Sequence, residues 1–180
     1  ASRNIRRWCD YGPTLLATPV HESGVMPGLR YSHQLVPYQL VGAISPWNFP
    51  VALSLIDAVP ALLAGCAVFV KPSEVTPRFV EPLKKAIAAV PELARVFAIE
   101  PGDGRTGAAL IGQVDAVCFT GSVATGRKVA VAAAGRFIPA FLELGGKDPA
   151  IILPSANLED AADAILRGSV VASGQVCLAL

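Results

Sequence analysis

The stretch LVGAISPWNFPVALSLIDAVPALLAGCAVFVKPSE, residues 40–74, decides the fold class. An apolar run at residues 40–44 leads through a proline-containing loop into apolar residues at helical spacing over 51–63, and a second apolar run follows at 67–70. Short runs that are apolar on both faces and alternate with helices indicate a parallel sheet covered on both sides. We therefore predict a doubly wound α/β fold.

The same alternation continues on both sides of this stretch. It predicts helices at 78–89, 107–111, 124–134 and 158–173 and strands at 96–99, 116–119, 140–144 and 150–153. Before it, residues 2–8 read as part of a helix and residues 19–41 as an extended segment. Residues 2–8 resemble the middle of a helix, and the last residue follows an apolar run without a capping signal, so we expect the chain to continue at both ends.

Composition excludes several classes of protein. Hydrophobic residues make up 53% and charged residues 16%, which excludes a disordered chain. The longest apolar stretch, 58–70, is broken by Pro60 and Gly65 and is too short to cross a bilayer. With 15 basic and 14 acidic residues, no nucleic-acid or membrane partner is indicated. The cysteines are widely spaced, so we predict no metal site, no disulfide framework and a cytoplasmic location.

Polar motifs follow the predicted strands, where ligands of doubly wound sheets bind. The motifs are SPWNFP at 45–50, KPSE at 71–74, FTGS at 119–122, LELGGK at 142–147 and GQVC at 174–177. Taken in this order, they resemble the signatures of the NAD(P)-dependent aldehyde dehydrogenase family, and the resemblance extends from about residue 40 to residue 180.

The resemblance implies a Rossmann-like nucleotide-binding domain followed by the start of a second α/β catalytic domain. We expect residues 1–40 to form a helix end and an extended oligomerisation segment, 41–145 the dinucleotide-binding domain, and 146–180 the start of the catalytic domain. It further implies a small aldehyde substrate and a homo-oligomer, either a dimer or a tetramer.

The candidate catalytic residues are Cys177, Asn48 and Glu143. A thiolate is a strong nucleophile for a carbonyl, so Cys177 would attack the aldehyde; the alternative is a buried core cysteine. The side-chain amide of Asn48 would stabilise the oxyanion together with the backbone N–H of Cys177, unless Asn48 is only a turn residue. Glu143, expected in a partly apolar site, would activate water to hydrolyse the thioester; its alternative is a salt bridge with Lys147.

The cofactor candidates follow the strands in the same way. Lys71 and Glu74 would hold the adenosine ribose, and the carboxylate disfavours a 2′-phosphate, so NAD is expected rather than NADP; the alternative is a surface ion pair. Gly121 and Ser122 would open a helix toward the pyrophosphate, or form only a tight turn. The sequence Gly102-Asp103-Gly104 lacks a full GxGxxG pattern and carries little weight by itself. The resemblance adds further cofactor contacts at Ser45, Pro46, Trp47, Ser73, Gly104, Leu144 and Gly145.

The implied activity is oxidation of an aldehyde to a carboxylic acid through a cysteine-bound thiohemiacetal and thioester. A coenzyme A-acylating aldehyde dehydrogenase is one alternative, against which Glu143 argues because such enzymes generally lack the base. The other alternative is a non-catalytic nucleotide-binding fragment, which would expose apolar surface, aggregate readily and be inactive by itself.

Overall fold

A five-stranded parallel sheet forms the centre of the protein in the computed structural model, which describes residues 2–180. A separate antiparallel pair, β1 (His21–Glu22) and β2 (Arg30–Tyr31), precedes it. The central strands are β3 (Leu40–Ile44), β4 (Ala67–Lys71), β5 (Phe97–Ile99), β6 (Ala116–Gly121) and β7 (Ala140–Leu144). Their spatial order is β5-β4-β3-β6-β7, and every neighbouring pair is parallel. The predicted α/β parallel sheet is therefore confirmed.

Helices cover both faces of this sheet. The chain contains α1 (Ser2–Leu15), α2 (Pro50–Ile56), α3 (Ala58–Leu63), α4 (Val80–Ala88), α5 (Pro91–Ala94), α6 (Gly104–Ile111), α7 (Val123–Ala134) and α8 (Leu158–Val170). Short 3-10 helices lie at Pro77–Phe79 and Val171–Gly174. Helix α1 packs on α3, where an added Cβ at Gly12 would lie 3.4 Å from a Leu63 methyl carbon. None of the helices described for residues 2–180 has the length and apolarity needed to cross a membrane.

Alternating residues of the strands contribute side chains to two separate apolar cores, one on each face of the sheet. On one face, Val41 and Ala43 pack with Ala58 of α3 and with buried residues of α4. On the other face, Ile44 packs with Leu110 of α6 and Val129 of α7. Because successive strand side chains point to opposite faces, a strand that is apolar throughout contributes to both cores. This is why the continuous apolar runs fold as central strands.

The order in which strands are added to the sheet changes sides at β3: β4 and β5 lie on one side of it, and β6 and β7 lie on the other. From β3 the chain proceeds outward through β4 to β5, and it then returns to the other side of β3 to form β6 and β7. The loops after β3 and β6 therefore diverge at the carboxyl end of the sheet and leave a crevice between them. Such a switch point is the usual ligand site of doubly wound folds.

The prediction of a strand at 150–153 is wrong. Ile151, Ile152 and Leu153 have no regular structure and are exposed. A strand needs a neighbour to pair its backbone groups, and residues 2–180 supply none for this run.

Two predicted helices are also interrupted. The helix expected over 51–63 is split at Asp57 into α2 and α3. The helix expected over 158–173 ends at Val170, because Ala172 and Ser173 adopt left-handed φ angles of 48° and 59° that cannot continue it.

Candidate functional site

The crevice at the switch point has a volume of about 580 Å³. It lies among the residues that follow β3, β4, β5 and β6. All the predicted cofactor residues except Leu144 and Gly145 line it, namely Ser45, Pro46, Trp47, Lys71, Ser73, Glu74, Gly104, Gly121 and Ser122. Residues separated by as much as 77 positions of sequence, from 45 to 122, therefore meet at one end of the sheet.

Lys71 is buried at the edge of this crevice, with 5% of its surface exposed. Its Nζ donates a 2.6 Å hydrogen bond to the carbonyl oxygen of Gly102 and lies 3.8 Å from a carboxylate oxygen of Glu74. Burial lowers the pKa of Lys71, while the negative charges of Glu74 and Asp103 oppose that shift. The alternative of a surface ion pair does not describe this lysine, whose ammonium group is held inside the site.

Two helix N-termini open onto the crevice. Asp103 caps α6 by accepting hydrogen bonds from the backbone N–H groups of Arg105 and Thr106, and Gly104 is the first helical residue. Ser122 caps α7 by accepting from the N–H of Thr125. Helix N-termini carry partial positive charge and favour anions. The longer helix, α7, begins at Val123, directly after its N-cap Ser122, and Gly121 precedes that cap.

Ser45 connects the end of β3 to α2. The hydroxyl oxygens of Ser45 and Ser54 lie 2.6 Å apart, and both residues are buried. The backbone N–H of Ser45 also donates to the carbonyl of Lys71 on the neighbouring strand. Ser45 is thereby fixed at the floor of the crevice, and Ser54 is a supporting residue that sequence reasoning missed.

Asn48 reaches the segment that carries the candidate nucleophile. Its Nδ2 donates a 2.8 Å hydrogen bond to the main-chain oxygen of Gln175, two residues before Cys177. The turn that contains Cys177 follows the 3-10 helix, in which Ala172, Ser173 and Gly174 all have positive φ, and the cysteine is exposed. The amide of Asn48 thus makes a long-range contact rather than a local turn contact, and it carries a second N–H for another acceptor.

Glu143 lies on β7, where it is in register with Thr120 of β6. It is exposed, and no ion pair joins it to Lys147 within 4.0 Å among residues 2–180. The described residues leave this carboxylate exposed, so they do not provide the partly apolar surroundings that we expected for it. The negative charge of Glu143 nevertheless reaches Asp57, whose pKa is raised by burial and then by Glu143.

Two predicted cofactor residues lie outside the crevice lining. Leu144 packs in the core beside α7, where an added Cβ at Gly126 would lie 2.5 Å from one of its methyl carbons. Gly145 donates its N–H to the carbonyl of Gly121 and so supports the loop that lines the crevice. Conversely, Asp103 and Lys128 line the crevice although the sequence did not single them out.

The remaining cysteines differ sharply from Cys177. Cys66 is buried, and burial, with a smaller effect from Asp57, raises the pKa of the Cys118 thiol to about 12. Cys9 is exposed on α1. A thiol that ionises only near pH 12 is a poor nucleophile at neutrality, so Cys118 is a packing residue.

The side chains and helix ends that line the crevice are of the kinds that bind a dinucleotide. It combines apolar walls at Ile44 and Val129 with two lysines, two carboxylates and the N-termini of α6 and α7. The absence of a side chain at Gly121 keeps the loop next to the Phe119 ring, because an added Cβ would lie 2.6 Å from that ring. Glycine at this position is therefore required by packing against Phe119, immediately before Ser122 caps α7.

A second, apolar groove of about 230 Å³ runs between α1 and α2. Phe49, which follows Asn48, lines this groove, and Asn4 is the sole polar lining residue of the groove among residues 2–180. The apolar lining residues are Ile5, Trp8, Phe49, Ala52, Leu53, Leu55, Ile56 and Val59. Of the two aromatic residues in the loop after β3, Trp47 therefore lines the crevice and Phe49 the groove.

Comparison with known proteins gives one consistent family. The model of the aldehyde dehydrogenase family matches residues 4–180. A putative succinate-semialdehyde dehydrogenase [NADP(+)] from Mycolicibacterium smegmatis is 39% identical over 98% of this chain, and geranial dehydrogenase from Castellaniella defragrans is 45% identical over 90%. The chain spans only about a third of the length of these curated relatives, 34% and 35% respectively.

Solved structures give the same result. The putative aldehyde dehydrogenase PutA from Anabaena variabilis is 61% identical and superposes with a TM-score of 0.94 over 99% of this chain and 38% of its own. A Mycobacterium tuberculosis aldehyde dehydrogenase complexed with NAD+ is 33% identical, with a TM-score of 0.86 over 97% of this chain and 36% of its own.

Proposed function

Because the chain belongs to the aldehyde dehydrogenase family, we propose that it provides the dinucleotide site and the nucleophile of an enzyme that oxidises an aldehyde to a carboxylic acid. The hydrogen bond from Asn48 to the carbonyl of Gln175 is the observation that carries this proposal. It joins the loop after β3, which borders the dinucleotide crevice, to the turn that bears Cys177. This bond holds the turn that bears Cys177 next to the loop that lines the crevice, which supports the proposed roles of Asn48 and Cys177.

The first chemical step belongs to Cys177 and Asn48. The thiolate of Cys177 forms a bond to the aldehyde carbon, and the carbonyl π electrons move to the oxygen. The free N–H of Asn48 and the backbone N–H of Cys177 stabilise the resulting alkoxide, and donors of this kind each contribute about 2.7–4 kcal/mol. Collapse of the alkoxide releases a hydride, which a nicotinamide dinucleotide held by the crevice residues would accept, and leaves a thioester on Cys177.

The second step is hydrolysis of that thioester. Glu143 takes a proton from water as the water oxygen bonds to the acyl carbon, and the carbon–sulfur bond then breaks. The products are the carboxylic acid and the Cys177 thiolate. Since the described residues leave Glu143 exposed, water has free access to this carboxylate.

The proposed hydride acceptor is NAD. A bound nicotinamide dinucleotide supplies the two-electron acceptor for the oxidation. Lys71 and Glu74 would hold the adenosine ribose, and the N-terminus of α7 would face the pyrophosphate. The carboxylate of Glu74 disfavours a 2′-phosphate. One relative is named for NADP(+) and one related structure holds NAD+, so the carboxylate of Glu74 is the feature that favours NAD here.

We further propose an apolar aldehyde as the substrate. Among residues 2–180, the groove between α1 and α2 has no cationic lining residue that could pair with the carboxylate of a semialdehyde substrate. A charged semialdehyde would lose its hydration there without compensation, whereas a hydrocarbon chain would gain about 25 cal/mol per Å² buried. The printed name of one relative, geranial dehydrogenase, is that of an enzyme for an apolar aldehyde.

The activity is tested in the full-length polypeptide that carries these residues, with NADH formation as the readout. The native protein should produce NADH and free acid from a medium-chain aliphatic aldehyde and water, without coenzyme A. Cys177→Ser should abolish the covalent acyl intermediate while NAD still binds by equilibrium titration. Loss of NAD binding in this variant, or unchanged turnover, would refute the assignment. A strict need for coenzyme A would favour the acylating alternative.

The substrate class is tested by placing a cation in the groove. Leu53→Arg should lower kcat/KM for the aliphatic aldehyde at least 10-fold and raise that for succinate semialdehyde relative to it. Val51→Arg is the matched control, because Val51 lies on the same helix but does not line the groove. Equal effects of both variants would count against an aldehyde site in this groove.

The isolated chain of 180 residues is expected to be inactive and prone to aggregation, because it spans a third of the relatives' length and exposes many large apolar side chains. Robust NADH production by this chain alone would overturn that expectation. The division at residues 40 and 145, the cytoplasmic location and the homo-oligomer remain predictions.

A further inference from the structure

Thr76 reaches across the carboxyl end of the sheet to the loop that carries Asn48. Its hydroxyl donates a 2.8 Å hydrogen bond to the main-chain oxygen of Trp47. The two residues are 29 positions apart in the chain, since Trp47 lies in the loop after β3 and Thr76 at the end of the loop after β4. This contact therefore joins the loop of the candidate oxyanion donor to the loop that bears Glu74.

The hydroxyl of Thr76 is not used in the way that is usual for its position in the chain. Thr76 is the N-cap of the short 3-10 helix Pro77–Phe79, yet its side chain accepts no hydrogen bond from that helix. A threonine at an N-cap usually accepts from a backbone N–H of its own helix. Because this hydroxyl instead donates to Trp47, its contact serves another loop and not the start of the helix that follows it.

The carbonyl that accepts this bond belongs to the peptide unit immediately before Asn48. A peptide unit is planar, so its oxygen and the Cα of the following residue move together. A hydrogen bond to the oxygen of Trp47 therefore restricts where the Cα of Asn48 lies. The side chain of Asn48 is restricted separately, by its 2.8 Å hydrogen bond to the main-chain oxygen of Gln175.

The residue after Asn48 adopts a conformation that needs such support. Phe49 has φ of 46° and ψ of 48°, in the left-handed region that a residue with a side chain rarely adopts. It also precedes Pro50, and the residue before a proline prefers extended backbone. Strained backbone of this kind persists only where neighbouring contacts hold it. The hydrogen bonds made by Trp47 and Asn48 are such contacts.

The loop that carries Thr76 is anchored independently at its other end. Ser73 forms a parallel bridge with Gly102, and the Nζ of Lys71 donates to the carbonyl oxygen of Gly102. These contacts do not involve Thr76, so they remain when its hydroxyl is removed. Loss of that hydroxyl should therefore loosen the loop after β3 more than the cofactor residues of the loop after β4.

We propose that Thr76 is a positioning residue, which holds the peptide before Asn48 so that the free N–H of the Asn48 amide faces the developing oxyanion. The inference rests on the function proposed above. Thr76 touches no reacting atom and acts through Asn48. A small displacement of a catalytic group slows the chemical step strongly. The hydroxyl of Thr76 should therefore affect the rate of thioester formation far more than the affinity for either substrate.

The test uses the full-length polypeptide and measures NADH formation in the first turnover, which reports thioester formation. Thr76→Val keeps the shape of the side chain but removes the hydroxyl, so the first-turnover rate should fall about 10-fold. KM for the aldehyde and the affinity for NAD by equilibrium titration should change little. Thr76→Ser, which retains the hydroxyl, should restore the native rate. Thr18→Val is the matched control and should change nothing, because Thr18 is exposed and also directly precedes a proline.

A double variant separates this role from a merely structural one. If Thr76 acts through Asn48, then Thr76→Val added to Asn48→Ala should slow the first turnover no further. A structural threonine would slow the reaction by the same factor in both backgrounds, and that result would refute the proposal. A Thr76→Val variant that loses NAD affinity but keeps the native first-turnover rate at saturating NAD would refute it as well.

The proposed function and the role of Thr76 fail in different ways. Absence of NADH formation by the native protein refutes the proposed function. Native NADH formation combined with an unchanged first-turnover rate in Thr76→Val refutes the role of Thr76 alone. If Thr76→Val does not fold, Thr76→Ala and Thr76→Ser replace it as a pair that differs by one hydroxyl. Equal first-turnover rates in that pair would then overturn the inference.

Discussion

The side-chain amide of Asn48 donates a 2.8 Å hydrogen bond to the main-chain oxygen of Gln175, a residue 127 positions later in the chain. This contact links the first loop of the nucleotide crevice to the turn of the candidate nucleophile. It fixes the amide's orientation through one N–H and leaves the other N–H for a ligand.

Removal of this amide should act on the chemical step. We expect Asn48→Ala to lower kcat for NADH formation about 10²–10³-fold, because one oxyanion donor is lost. NAD affinity should change little, since the cofactor contacts lie elsewhere in the loop. Stopped-flow kinetics and equilibrium titration measure the two quantities. Gln34→Ala, which removes an exposed amide before β3, should have no effect on either.

Glu74 should control the choice of dinucleotide. Its carboxylate is 58% exposed and lies at the crevice beside Lys71. Glu74→Gln removes the charge that repels a 2′-phosphate, so the ratio of kcat/KM for NAD to that for NADP should fall about 10-fold, equivalent to ~1.4 kcal/mol. The same substitution at Glu92, an exposed residue of α5, is the control. An unchanged ratio would show that Glu74 does not contact the ribose.

The buried hydroxyl pair should contribute measurably to stability. Ser54→Ala leaves the hydroxyl of Ser45 buried without its partner, which typically costs about 1–3 kcal/mol. Replacing both serines should cost less than the sum of the single losses, because no buried donor or acceptor is then left unpaired. Urea unfolding of the two single variants and the double variant gives the coupling energy. Strict additivity would mean that the two hydroxyls do not interact.

The four cysteines should differ in how readily they are alkylated between neutral pH and about pH 10. Burial raises the pKa of Cys118 to about 12, so this thiol remains protonated from neutral pH to about pH 10, and Cys66 is shielded by burial. Iodoacetamide should therefore modify Cys177 and Cys9, which are exposed, and spare the other two over that range. Peptide mass mapping at several pH values checks this. Rapid alkylation of Cys118 at pH 8 in the folded protein would contradict it.

The sheet was predictable because its strands combine continuous apolar runs with Gly- or Pro-containing turns. The residues after β3, β4 and β6 were predictable as site candidates because the carboxyl ends of parallel strands lie at the same end of the sheet. The strand expected at 150–153 failed because hydrophobicity reports a tendency to be buried, whereas a strand also requires a partner. No local pattern contains that partner.

The helix break at Asp57 could not be predicted from sequence. Its neighbours read as one apolar helix, and the break between α2 and α3 appears only when both segments pack on the sheet. The sheet face that Glu143 occupies depends likewise on the register of β7 against β6. Leu144 lies outside the crevice lining because the alternation of strand side chains turns it toward the core.

The position of β7 as the outermost strand of the sheet has a consequence for the proposed base. Its outer margin presents backbone donors and acceptors that pair with no strand of residues 2–180. A further strand added there would lie about 4.8 Å away and would set its side chains directly beside Glu143. The solvation of that carboxylate, and with it the rate of thioester hydrolysis, would then depend on sheet extension as much as on the residues of β7 itself.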